Sequence, residues 1–131
     1  DYANFAVDDP TQMRRSVYRF LFRTLPDPFM EALDHPDGSQ QAPVRAGSIT
    51  APQALALLNN KFVVRQSEHL AARLKGEAPT IDEQIRRLLH LVLSREATPP
   101  EIAMLVAHTR KHGLANVCRL VFNSNEFVFV P

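Results

Sequence analysis

The sequence predicts an all-α domain, and three observations support this fold class. Prolines divide the chain into blocks of helical length, because proline lacks a backbone N–H and disfavours helix in the residue before it. Apolar residues in these blocks recur at three- and four-residue spacing, which is typical of amphipathic helices. Three Thr-x-x-Glu/Gln sequences mark helix starts. We expect a compact bundle of five or six helices, with a long proline-rich loop after the first helix and a short extended C-terminal tail.

The first helix is predicted over residues 11–25, where two apolar stripes favour a central position. Residues 26–47 follow as an extended connection, because they are rich in proline and turn-forming residues. Residues 126–131 are apolar and aromatic, which favours an extended tail. The remaining predicted helices, of which the first two could form one continuous helix, span residues 51–59, 61–75, 81–95, 99–112 and 114–123.

Local signals define the helix boundaries from residue 50 onward. In each capping box a threonine at the N-cap and a Glu or Gln three residues later satisfy two first-turn N–H groups. Basic residues followed by Gly76 and Gly113 predict helix ends with a left-handed glycine. The three boxes are Thr50–Gln53, Thr80–Glu83 and Thr98–Glu101.

Four apolar stripes predict the core of the bundle, because residues at helical spacing share one face. Burial of each leucine or valine contributes on the order of 1.5–3 kcal/mol. The stripes are Val63, Leu70 and Leu74; Ile81, Ile85, Leu88, Leu89 and Val92; Ile102, Leu105 and Val106; and Leu114, Val117, Leu120 and Val121.

Composition indicates one globular domain, since the chain has 131 residues, 45% of them hydrophobic. We expect residues 1–10 to be a linker from an upstream region and residues 11–131 to be a single helical domain. The formal net charge of +1 gives no overall attraction to nucleic acid or to anionic membranes. No apolar run approaches the roughly 20 residues that span a bilayer. The chain starts at Asp1 without a signal-peptide pattern, so we expect a fragment of a longer polypeptide.

Two polar segments offer candidate binding groups. Arg15, Arg19 and Arg23 recur at four-residue spacing beside Arg14, and such a row could bind phosphate or carboxylate groups. A solvated or ion-paired helix face is the favoured interpretation, because no nucleic-acid motif accompanies the row.

The second segment is a turn that contains Asp34, Asp37 and Gly38, but it lacks the spacing of a calcium loop. A structural turn, with one aspartate bridging to Arg45 or to a helix N terminus, is the favoured interpretation. An acid/base pair is open in principle, but no apolar pocket that would shift one carboxyl is visible in the sequence.

Histidine and cysteine supply no convincing catalytic site. His108 and His112 are one helical turn apart, a spacing that can present two imidazoles to one metal, yet no third ligand is indicated. Satisfied or exposed histidines are the favoured interpretation. The single cysteine, Cys118, cannot form an internal disulfide, and its apolar neighbours suggest an interior position. We therefore predict no catalytic residue, no metal and no cofactor.

Several short motifs occur in one order along the chain. They are Arg14-Arg-Ser-Val-Tyr18, Leu33-Asp-His-Pro-Asp37, Thr50-Ala-Pro-Gln-Ala-Leu-Ala-Leu-Leu-Asn59 with Phe62-Val63, Leu93-Ser-Arg95, Thr98-Pro-Pro-Glu101 and Asn123-Ser-Asn-Glu-Phe127. In order and spacing they resemble the planctomycete domain of unknown function 1553 over nearly all of residues 13–130. His35 and Pro131 look like local variations on the family pattern.

The resemblance implies the C-terminal part of a large secreted bacterial protein with a cytochrome-like domain and a second uncharacterised domain upstream. It implies an extracytoplasmic location, in the periplasm or at the cell surface, and assigns no activity. The recurring polar positions of the family map to Arg14, Arg15, Asp34, Asp37, Arg45, Thr50, Gln53, Asn59, Asn123, Asn125 and Glu126, many of which also suit caps and buried hydrogen bonds.

Three functions remain open on the sequence. The leading hypothesis is a non-catalytic helical interaction or scaffolding module, which docks on upstream domains or on another protein and neither binds nucleic acid nor inserts into a membrane. The alternative is a ligand-binding or enzymatic part acting on cell-surface carbohydrate, with a polar cleft around the Asp34–Arg45 loop. The third is an electron-transfer accessory to the upstream cytochrome-like domain. Capping leaves one candidate polar cluster unexplained, and its members are Arg14, Arg15, Asp34, Asp37 and Arg45.

Overall fold

The computed structural model describes residues 6, 8, 9, 18, 27–35 and 49–129. These residues form seven helices and no strand, so the all-α prediction is confirmed. None of the described helices is long and apolar enough to cross a bilayer. The predicted helix 11–25 lies outside the described residues, except for Tyr18. The helices are α1 (Pro28–Ala32), α2 (Ala51–Asn59), α3 (Lys61–Glu77), α4 (Ile81–Leu93), α5 (Pro99–His112), α6 (Leu114–Phe122) and α7 (Asn125–Val128).

Capping boxes begin the helices as predicted. The Thr50 N–H donates to Gln53 Oε1 at 3.0 Å, and the Gln53 N–H donates to Thr50 Oγ1 at 3.5 Å. The corresponding distances between Thr80 and Glu83 are 3.2 and 3.3 Å. The two helices therefore start at the residues that local chemistry selects.

The glycine signal is confirmed at one helix end and wrong at the other. Gly113 has a φ of 86° and a ψ of 156°, a conformation that essentially only glycine adopts, and it separates α5 from α6. Helix α3 instead continues through Gly76 to Glu77. It ends at extended Ala78, because Pro79 disfavours helix in the residue before it.

Two segments predicted as extended contain short helices. Residues 125–128 form α7, where Ser124 Oγ accepts the Phe127 N–H at 3.3 Å. The rings of Phe122 and Phe127 lie 5.1 Å apart, so aromatic packing folds the tail back on α6. The proline-rich connection contains α1, which Asp27 caps by accepting the Phe29 N–H at 2.9 Å.

The core lies where α3, α4, α5 and α6 meet. Leu74, Ile85, Leu88 and Val117 are completely buried within it. The predicted stripes supply most of the core, but Leu120 was placed there wrongly, since it is 42% exposed. Cys118 occupies the inward position of α6 instead; the whole cluster comprises Ala71, Leu74, Ile85, Leu88, Leu89, Ala97, Ile102, Val106, Leu114, Val117, Cys118 and Val121.

Candidate functional site

Of the candidate polar cluster, only Asp34 belongs to the described residues; Arg14, Arg15, Asp37 and Arg45 lie outside them. Asp34 is exposed and follows α1 with a φ of 56°, in the left-handed region that aspartate tolerates. Its N–H donates to Glu31 O at 3.0 Å, which closes the turn after the helix.

The side chain of Asp34 forms a hydrogen bond that connects this turn to the first turn of α2. Gln53 Nε2 donates to Asp34 Oδ2 at 2.5 Å, while Gln53 Oε1 accepts the Thr50 N–H. One amide group therefore completes the capping box with its oxygen and binds Asp34 with its nitrogen. The contact gives both Asp34 and Gln53 a structural role.

Arg95, in the turn after α4, joins two carboxylates. Its Nη1 and Nη2 atoms donate to Glu101 at 3.0 and 2.6 Å. Its Nε and Nη2 atoms donate to Glu126 at 2.5 and 2.9 Å. Two bidentate ion pairs share one guanidinium, the geometry in which arginine binds carboxylates most strongly. The arginine thereby fastens α7 to the start of α5.

Glu101 also serves the third capping box. Its Oε2 atom accepts the Thr98 N–H at 2.8 Å and the Thr98 hydroxyl at 2.7 Å. The contacts from Arg95 and Thr98 lower the pKa of Glu101 to about 2, and the Arg95 contact lowers the pKa of Glu126. Both groups are ionised at neutral pH, so neither holds a proton that a general acid would donate.

Two asparagines connect the C-terminal segment to α2. Asn125 Oδ1 accepts the Ile49 N–H at 3.2 Å, and Asn123 Nδ2 donates to Ala54 O at 3.4 Å. Asn123 Oδ1 is buried without a hydrogen-bond partner among the residues that the structure describes. A third asparagine, Asn59, donates to a carbonyl of its own helix at 2.9 Å.

These contacts form what we call the motif network, which connects residues from five separate motifs. Sequence reasoning did not select Arg95 or Glu101 as site residues, although both lie in motifs that carry the family resemblance. The network consists of Asp34, Thr50, Gln53, Arg95, Thr98, Glu101, Asn123, Asn125 and Glu126.

A second ion-pair cluster joins Asp8 to α3. Asp8 Oδ1 lies 2.7 Å from both Arg65 Nε and His69 Nε2, and these contacts lower the pKa of Asp8. Arg65 also pairs with Glu68 at 2.8 Å. All four side chains are substantially exposed, so the cluster stabilises the fold weakly.

The other candidate groups give no catalytic arrangement within the described residues. Cys118 is buried as predicted, and burial raises the pKa of its thiol to about 12, which makes it a poor nucleophile. The rings of His108 and His112 lie 4.5 Å apart. The described part of the chain contains no group of three or more His, Cys, Asp or Glu residues able to hold a metal ion.

Comparison with known proteins identifies the family of the chain. The family model described as "Protein of unknown function (DUF1553)" matches residues 3–109 of the 131. No curated protein and no solved structure matches the chain. The matched range includes Asp34, Gln53, Arg95 and Glu101, whereas α6 and α7 lie beyond it. Because the match covers well over half of the sequence, the chain belongs to the DUF1553 family.

Proposed function

We propose that the domain is a non-catalytic helical interaction or scaffolding module of a larger secreted bacterial protein. It docks on upstream domains of the same polypeptide or on another protein. One observation carries the proposal, namely that α5 is apolar on the side that faces away from the core.

The outer face of α5 consists of Pro100, Ala103, Met104 and Ala107, all exposed and spaced at i, i+3, i+4 and i+7. Met104 is 63% exposed. The opposite side of the same helix packs into the core. A helix that is apolar on both sides is typical of one covered on both sides, and a methionine between alanines gives a surface that adapts to a partner.

Charge at the end of this surface indicates the chemistry of the partner. Arg110 and Lys111 are exposed, and neither has an ion pair within the described part of the chain. A partner that is apolar at its centre and acidic at its rim would complement this surface, because charged groups at a rim mainly guide association. The outer face of α5 is thus the surface that we assign to docking.

The motif network supports a structural role for the polar residues. Asp34 is bonded to Gln53, and Arg95 holds both Glu101 and Glu126 as ions. The alternative, action on cell-surface carbohydrate, requires Asp34 to contact a ligand. Asp34→Ala separates the two functions, since it would abolish carbohydrate binding in the alternative and leave partner binding intact in our proposal.

The test of the proposal is a binding titration between this domain and the upstream remainder of its polypeptide. We expect Met104→Glu to weaken association at least about tenfold, because a carboxylate would be buried against an apolar partner. Ala72→Glu is the matched control, since Ala72 is an exposed alanine on α3. Unchanged association of the Met104 variant, with both variants folded by circular dichroism, would refute the proposed docking surface.

A further inference from the structure

A pair of histidines near the end of α5 is not used by the motif network or by the outer face of α5. The rings of His108 and His112 have centroids 4.5 Å apart and planes inclined by 40°. His108 is half-buried and His112 is exposed. The His112 carbonyl accepts Asn116 Nδ2 at 2.6 Å, so a side chain of α6 satisfies the end of α5 and holds this turn in place.

The separation of the rings is short enough for two imidazoles to bind one metal ion. With a metal–nitrogen bond of about 2.05 Å and about 1.15 Å from nitrogen to ring centre, each ring centre lies about 3.2 Å from the metal. Two such rings are about 4.5 Å apart at a ligand angle of about 90°, and about 5.2 Å apart at the tetrahedral angle. The observed separation of 4.5 Å is within this range, so the two rings are close enough to share one ion.

We infer that His108 and His112 form a binding site for a divalent copper ion, with water at the remaining positions. Copper is the expected ion, because Cu²⁺ binds imidazole more strongly than Zn²⁺ or Ni²⁺ does. Once one imidazole has bound the ion, the second is held close by the helix and binds at a high effective concentration.

The surroundings limit the strength of the site. No third protein ligand lies within the described part of the chain, so the ion exchanges with solvent. The site is therefore a labile one, and it weakens on acidification because the imidazoles must be unprotonated to bind.

The experiment titrates the 131-residue chain with Cu²⁺ and with Zn²⁺, and measures binding by calorimetry and, for copper, by electron paramagnetic resonance. We expect one Cu²⁺ with two nitrogen ligands, bound more tightly than Zn²⁺. His112→Ala should weaken Cu²⁺ binding at least about tenfold, because it removes the chelate. His90→Ala is the control, since His90 is an exposed histidine on α4 without a second imidazole one turn away.

Thermal unfolding supplies a second measurement, because a ligand that binds only the folded state raises the melting temperature. Cu²⁺ should raise the Tm of the wild type and of the His90 variant, and not that of the His112 variant. Equal Cu²⁺ affinity in the wild type and the His112 variant would overturn the site. Tighter binding of Zn²⁺ than of Cu²⁺ would overturn the assignment of the site to copper.

Discussion

Alanine in place of Gly113 should destabilise the domain through backbone strain alone. Gly113 has a φ of 86° and a ψ of 156°, and a Cβ added there meets no atom within 4 Å. The cost therefore contains no steric clash. Strain in this region is about 1–3 kcal/mol, and the lower entropy of the unfolded alanine chain offsets about 0.4–1 kcal/mol of it. We expect the free energy of unfolding to fall by about 1–2 kcal/mol in urea titrations.

Gly76 provides the matched control, because the same substitution there should have the opposite sign. Gly76 lies inside α3, and a Cβ at this position also meets nothing within 4 Å. Alanine is favoured over glycine by about 0.5–1 kcal/mol in the middle of a helix and by less in the last turn, so Gly76→Ala should raise the free energy of unfolding by at most about 0.5–1 kcal/mol. Shifts of the same sign in the two variants would refute the assignment of one glycine to a strained junction and the other to a helix interior.

Two further predictions concern the core and the Arg95 ion pairs. Leu88 is completely buried, so Leu88→Ala should lower the free energy of unfolding by about 2–5 kcal/mol. Leu55 is 61% exposed, so Leu55→Ala should change the free energy of unfolding by less than about 0.5 kcal/mol. Similar losses for the two variants in urea titrations would contradict the assignment of Leu88 to the core. Glu101 has a folded pKa of about 2 against an ordinary value of 4.5, so its ion pair stabilises the fold above pH 4.5, and this contribution disappears as pH falls towards 2. Glu101→Gln should flatten the dependence of unfolding free energy on pH in this interval, and an unchanged slope would exclude Glu101 as its source.

Helix starts were predictable because the signal for a start is local. A capping box needs four consecutive residues, and α2 and α5 were predicted with the bounds that the structure shows. Helix ends depend on contacts that are remote in sequence. The last turn of α3 includes Glu77, which pairs with Arg73 at 2.6 Å and with Arg87 of the next helix at 2.9 Å. These ion pairs stabilise the end of the helix beyond Gly76. The glycine signal does not predict them, because Arg87 lies on the next helix.

The pairing within the motif network was not predictable from spacing. Arg95 and Glu126 are 31 residues apart, and only the packing of α7 on the bundle brings them together. Glu101 was interpreted only as a capping residue, so its ion pair with Arg95 was not predicted. One carboxylate does both, because its oxygens accept from Thr98 and from Arg95 at the same time. The short helix α7 was also missed. Its apolar and aromatic sequence predicted an extended tail, and Ser124 was not recognised as its N-cap.

The motif network and the outer face of α5 should respond differently to mutation. Loss of Arg95 would free α7 and leave two carboxylates facing one another, so its main effect should be on stability. Loss of Met104 removes no internal contact of comparable burial, so its main effect should be on association. Most residues of the motif network thus build the domain, whereas three of the four residues on the proposed docking surface, namely Ala103, Met104 and Ala107, lie outside the quoted motifs. Under the proposed docking role, we expect substitutions on the outer face of α5 to change partner binding more than substitutions in the motif network do.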